Sequence, residues 1–165
     1  MTTITIDSNA VQQQLARLQG NATNLHAAFD AIGQMIRSNV LDCFEHEQSP
    51  DGINWKALSP ATKLARAKRV AGGHKIKSGK RTTKAFDRAY NNMKILNDRG
   101  KLKGSIAFRA SNTFAEVTTD TEYAAVHQFG SPSKGISARP FFPSQTLPQN
   151  WETEILQMLE SHLNH

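Results

Sequence analysis

Tyr123, His127 and Arg139 lie close together in the stretch YAAVHQFGSPSKGISARPFFP, and their side chains could do chemistry. An imidazole exchanges protons near neutral pH, and a guanidinium stabilises an oxyanion. Were the three to converge, the site would be an acid–base one. A mechanism also needs a nucleophile or a carboxylate pair to complete it, and none stands beside them. A histidine among aromatics reads instead as hydrogen-bonded structure.

The remaining candidates for chemistry fall away in turn. Six histidines, His26, His46, His74, His127, His162 and His165, show no HExxH pairing. His46 lies between Glu45 and Glu47, but adjacent helical residues point in different directions. A zinc site would want three or four converging ligands, and the spacing supplies none. Cys43 is the single cysteine, so no intramolecular disulfide forms; among Leu41 and Phe44 it reads as a small buried hydrophobe. GxSxG, GxGxxG and the Walker loop are missing, and GGHKIKSGK lacks both the GK[ST] spacing and a preceding apolar strand. The expectation is a protein without catalytic residues, metal or cofactor.

Charge is more informative. The chain of 165 residues carries +6 overall. Between Lys63 and Lys103, fourteen Lys or Arg face only Asp87 and Asp98, a local +12 that leaves −6 for the rest. A mildly acidic body thus bears one strongly basic segment, suited to phosphate or to an acidic protein surface. Lys75, Lys77, Lys80, Arg81 and Lys84 are its candidate contacts. Only Phe86 and Tyr90 interrupt the run, and both also fit a helical apolar stripe, so nonspecific nucleic-acid contact is supported and sequence readout is not. Hydrophobic residues make up 38%, enough for a modest core in one domain. No apolar run reaches the roughly 20 residues of a membrane span, and the N-terminus lacks a secretory pattern. A reducing cytoplasm and no membrane partner are expected.

The elements that must position these residues follow from spacing. TITI alternates like a short strand, and Asp7 or Ser8 can cap a helix through Val11, Leu15 and Leu18 that Gly20 ends. Thr23 or Asn24 caps a long helix to about His46, with Leu25, Phe29, Ile32, Ile36, Val40 and Phe44 as its stripe and Met35 and Leu41 widening it. Pro50-Asp51-Gly52 is turn chemistry, and Trp55 is predicted to anchor against that helix. Ser59 and Pro60 open a basic helix through about Arg69. Residues 70–82, rich in Gly and Lys, read as a flexible loop or a segment ordered by a partner. Phe86, Tyr90, Met93 and Leu96 predict a helix that Gly100 terminates. Residues 105–110 and 114–119 predict a hairpin turning at Ser111-Asn112, against which the long helix should pack. Residues 121–129 fit either a helical turn or a strand, and ARPFFP is extended because residues before proline avoid the α region. Trp151, Ile155, Leu156, Leu159 and Leu163 mark a C-terminal helix. The fold class is α+β: long N-terminal helices on a small antiparallel sheet, a basic flexible arm at about 66–94, and a C-terminal helix, all in one domain over 1–165.

Five landmarks recur in order: Phe44, SPDGINWKALSPAT (49–62), ILNDRGKLKGSI (95–106), YAAVHQFG (123–130) and ARPFFP (138–143). This series resembles the phage virion morphogenesis family of the Mu G protein type, related to P2-type tail completion proteins, over most of the chain. The chain has Asp98-Arg99-Gly100 where the family favours TG before the leucine, and its basic stretch from Arg66 to Lys94 is longer than a minimal member requires. The resemblance implies a structural virion protein, not an enzyme, that acts in tail completion or head–tail joining at the neck. It implies an oligomeric ring, a hexamer, with adjacent neck or tail proteins as partners and DNA passing through the lumen. The protein would reside in the virion, and in the host cytoplasm during assembly. In that frame Tyr123, His127, Phe129, Arg139, Pro140, Phe141 and Phe142 become oligomer-interface or loop-fixing residues. Arg139 would pair with a carboxylate or carbonyl. The other reading is a freestanding nonspecific nucleic-acid-binding protein that uses segment 63–103.

Overall fold

The computed structural model describes residues 16–17, 19–20, 24–70, 84–144 and 146–164. The TITI strand, its following caps and Lys75, Lys77, Lys80 and Arg81 lie outside these. The elements are α1 (His26–His46), α2 (Pro60–Val70), α3 (Lys84–Asn91), α4 (Lys101–Gly104), β1 (Ala107–Ala110), β2 (Ala115–Thr118), α5 (Ala124–Phe129), a 3-10 turn (Pro132–Lys134) and α6 (Gln149–Asn164). The chain is α+β, and its one sheet, among the described residues, is the antiparallel pair β1–β2. It divides into two compact units: Met1–Ser38 with Ala107–Val117 and Leu147–His165, and Asn39–Ile106 with Thr118–Thr146.

In the first unit, α1 lies on the hairpin as its apolar stripe predicts. The approach is close because position 33 is glycine. A Cβ there would sit 2.5 Å from Cδ2 of Phe108 on β1, well inside contact distance. The ring of Phe108 takes the space that any other residue's side chain would fill. Ser111 N–H donates to the Phe114 carbonyl at 2.9 Å, and Thr113 N–H donates to Ser111 Oγ at 3.1 Å; both close the predicted hairpin turn. Arg109 pairs with Glu116 across the strands and lies 5.6 Å from the Phe114 ring. In this unit the buried residues of α1 are Ala28, Ile32 and Met35; Val40, Cys43 and Phe44 are buried in the second unit. Ile36, placed on the stripe by its spacing, is only half-buried.

Helix α6 forms as the spacing predicts, starting after Pro148 with Glu152 N–H donating to the Pro148 carbonyl at 3.0 Å. Trp151 is buried, and Ile155, Met158, Leu159 and Leu163 are half-buried. Leu156, expected in the stripe, is exposed: it lies off the 151–155–158–162 line, where Met158 takes its place. His162 contacts the Asn24 carbonyl at 3.1 Å.

The second unit takes in the last two turns of α1, from Asn39. Glu47 stops the helix with a φ of 57°, and Ser49-Pro50-Asp51-Gly52 reverses the chain, with Gly52 N–H on the Ser49 carbonyl at 2.9 Å. The return strand pairs Gln48 with Asn54 and brings Trp55 edge-on to Phe44, centroids 5.6 Å apart. The predicted anchor is there. Ser59 caps α2 through Thr62 N–H at 3.1 Å, with Pro60 in the first turn where its missing N–H costs nothing. α2 and α3 pack together over Ala67 and Phe86, and Lys63 Nζ lies 5.9 Å from the Tyr90 ring.

The predicted run of helix to Leu96 stops at Asn91 instead. Leu96 has a φ of 57°, which no helix accommodates, and this kink allows both Ile95 and Leu96 to be buried. Ile95 N–H donates to Glu47 Oε1 at 2.6 Å, so a side chain replaces the lost helical acceptor. Gly100, expected to end a helix, begins one: with a φ of 71° it stands at the N-cap of α4. Residues 121–129, open between helix and strand, form α5.

The Gly33–Phe108 contact gives a sign test. Gly33→Ala should lower stability, because overpacking of about 1–3 kcal/mol outweighs a helix-propensity gain of about 1 kcal/mol. With Phe108→Ala present, the same substitution should become stabilising. Urea melts of the two single variants and the double variant check this; a loss of equal size in both backgrounds would remove the contact from the account.

Candidate functional site

The residues singled out by sequence surround one extended strap, Arg139 to Phe142, in the second unit. An isolated extended segment has no ladder to satisfy its backbone, so buried polar groups must find side-chain partners. Gln128 supplies three of them. Its Oε1 accepts from Phe141 N–H and Phe142 N–H, both at 3.0 Å, and its Nε2 donates to the Phe142 carbonyl at 2.8 Å. Trp55 Nε1 donates to the Pro140 carbonyl at 2.8 Å. The Arg139 backbone N–H donates to the His127 carbonyl at 2.7 Å. Fixed in this way, Phe141 is fully buried against Phe44, centroids 5.3 Å apart, and Phe142 lies half-buried beside it.

The loop leading into the strap closes by contact too tight for a side chain. Gly130 has a φ of 77°, and a Cβ there would meet Ala138 N at 2.8 Å and Ile136 O at 3.0 Å. Ser131 and Ile136 exchange both backbone hydrogen bonds, at 2.8 and 2.9 Å, around the 3-10 turn. Arg139 is 8% exposed; its Nε donates to the Lys56 carbonyl at 3.0 Å and Nη2 reaches the Ala57 carbonyl at 3.5 Å. Of the two partners sequence allowed, carboxylate or carbonyl, the structure provides carbonyls of the same chain. Phe129 points outward, 72% exposed, and Tyr123 is also exposed.

Tyr123, at the N-cap of α5, and His127 do meet, ring edge to ring face at 5.8 Å. His127 is half-buried, and its Nδ1 is buried with no hydrogen-bond partner among the described residues. Burial, then the charges of Arg139 and Arg66, hold the imidazole below its ordinary pKa of about 6.5, so it is neutral at pH 7. Burial and Arg66 likewise weigh against the Arg139 charge. A guanidinium stays protonated even so.

Cys43 behaves as the small hydrophobe expected of it: its thiol is pushed up to about 11, chiefly by burial, and its Sγ lies 3.4 Å from the Asn39 carbonyl. A thiol held protonated is a poor nucleophile. Among the described residues no three His, Cys, Asp or Glu side chains gather as a metal site would require.

Of the basic contact candidates, Lys84 is described and exposed at the start of α3. Asp98 takes up part of the neighbouring charge, pairing with Arg69 and standing 3.7 Å from Arg66. Lys103 pairs with Glu45 and holds that carboxyl below the usual carboxylate range. Sequence reasoning missed Gln128, Arg66 and Lys56. Gln128 has no motif, and Arg66 is one cation among many in its helix. Only the partners brought by the fold distinguish them.

These features describe a helix-rich α+β subunit in which many of the polar groups that resemble chemistry brace loops. The chain belongs to the phage virion morphogenesis family, whose model matches residues 6–164, and so has a structural or morphogenetic role in the phage virion. No curated protein and no solved structure is matched by the chain. No helix among the described residues is long and apolar enough to cross a membrane.

Gln128→Ala would strip three strap groups of their partner. It should cost about 2–4 kcal/mol, since each buried unsatisfied group costs about 1–3 kcal/mol and water can reach the half-buried end at Phe142. Chemical denaturation checks this, and a loss below about 1 kcal/mol would mean the strap is held by apolar contact alone.

Proposed function

We propose that the protein is a structural component of the phage neck, acting in tail completion or head–tail joining as an oligomeric ring, a hexamer, without enzyme chemistry of its own. The observation that carries this reading is the family match across residues 6–164. The braced strap is consistent with it, because a subunit under assembly load needs rigid loops more than a mobile active site. Adjacent neck or tail proteins are its partners, and it moves from the host cytoplasm into the virion. Exposed Phe129 and Tyr123 are aromatics near the strap available to a neighbour, whereas Phe141 acts within the core. Electron microscopy of particles assembled with and without the protein tests the reading. Expected without it are separate filled heads and tails, or tails lacking their head-proximal end; normal joined virions would overturn it.

The +12 segment favours a second reading, nonspecific binding of nucleic acid, which in the first reading becomes contact with DNA in the ring's lumen. As a neck component, the isolated protein should bind duplex DNA weakly, without sequence preference, and with affinity falling steeply as salt rises. Replacing Lys75, Lys77, Lys80 and Arg81 together by Gln should flatten the logarithmic salt slope by up to about 3–4 and leave the melting temperature unchanged. Filter binding across a salt series measures this. Tight binding to one sequence at physiological salt would promote the second reading over the first.

A further inference from the structure

Beside the strap, a cavity of about 580 Å³ opens between residues 56–62, α2 and residues 135–139. Lys56, Arg66 and Arg139 line it together with His127, and no carboxylate does among the described residues. Arg139 reads first as a brace, but the carbonyls it binds leave its charge uncompensated. Neither Arg139 nor Lys56 forms an ion pair with a described residue, and His127 keeps a buried, unpartnered Nδ1. Lys56 and Arg139 thus line one concave space with Arg66, whose charge Asp98 already shares, and an anion within it would relieve their repulsion.

We propose that this cavity is a receptor for a protein carboxylate, an Asp, Glu or chain-terminal group on an acidic segment of an assembly partner. Geometry favours a carboxylate over duplex phosphate. Arg139 is recessed at 8% exposure, whereas a duplex presents its phosphates along a convex rod to side chains that reach outward. A single carboxylate on a peptide can enter and be gripped by two or more charged donors. The protein already uses this chemistry next door. Arg66 also lines an adjoining cavity of about 340 Å³, where Asp98 of the same chain stands 3.7 Å from it. The side toward Arg139 has no such carboxylate among the described residues. The inference rests on the assembly reading only in taking the carboxylate from a protein.

His127 reports occupancy. The groups around it are Tyr123 on its own helix, Arg66 on α2, Arg139 on the strap and Lys56 before α2, with Asp98, Arg99 and Lys101 across the adjoining cavity. Burial is the first cause that holds it neutral and two cations add to it; a bound anion would counter the cations, so binding should raise its pKa and grow stronger as pH falls. The full chain, labelled in its histidine rings, is titrated by NMR with the peptide acetyl-Asp-Glu-Asp-amide at fixed ionic strength in chloride. Expected is a saturable shift of the His127 resonances, with the titration midpoint rising by half a unit or more. Lys56→Gln, an exposed substitution that should leave the melting temperature unchanged, should weaken binding at least threefold; Arg139→Gln should weaken it more if it folds.

Inorganic phosphate and a 20-base-pair duplex form the other arms. Phosphate competing with the peptide supports the site, since it shares the oxyanion chemistry. No response to the peptide, a response matched by chloride alone, or displacement of the peptide by duplex at equal charge would overturn the proposal. No arm reads virion assembly, so the neck reading can fail while the site stands, and the reverse.

Discussion

Burial of Phe141 makes the strongest demand on the second unit. The side chain is wanted in the core, against Phe44, but it sits on a strap that belongs to no sheet. Bringing it in also brings in backbone N–H and carbonyl groups whose water is lost. Gln128 and Trp55 exist at their positions to answer that cost, the first with three hydrogen bonds and the second with one. The arrangement couples distant parts of the chain. The SPDG turn must return Trp55 to Phe44, α5 must present Gln128 inward, and Gly130 must permit the 3-10 loop to close on Ala138.

From that coupling follows the fate of the residues that looked catalytic. His127 and Arg139 are neighbours because the Arg139 N–H closes on the His127 carbonyl, which is a structural bond. Their side chains are then held in a part-buried, cation-rich setting, where the imidazole is kept neutral. The basic character of the segment is likewise not uniform. Asp98 gathers Arg66 and Arg69, and Glu45 gathers Lys103, so part of the local +12 is answered within the subunit.

Much of the architecture was legible in the sequence because it depends on local periodicity and on turn chemistry. The α1 stripe, the Ser59-Pro60 opening of α2, the hairpin around Ser111-Asn112, the Trp55 anchor and the C-terminal helix all follow from residue types within a few positions of each other. The landmark series gave the family for the same reason, since it is carried by residues in order along the chain. Where spacing alone misled, the error was one of phase or of termination. Leu156 fits an apolar count but lies outside the buried face, which depends on where the partner surface sits.

Leu96 shows what no local rule supplies. Its left-handed backbone is unfavourable for a leucine, and it is adopted because two apolar side chains are buried there while Glu47, far away in sequence, accepts the Ile95 N–H. Gly100 could end a helix or begin one, and that kink decides which. By itself, then, the sequence determined the long helix α1, the opening of α2, the C-terminal helix, the hairpin, the segregation of charge and the family. Only the tertiary structure decided that Gln128 is the keystone of the strap, that Gly33 admits Phe108, and that Lys56, Arg66, His127 and Arg139 share one cavity. The physical reason is that amphipathic spacing acts over a few residues, whereas satisfying a buried polar group depends on whichever donor or acceptor the fold brings within about 3 Å.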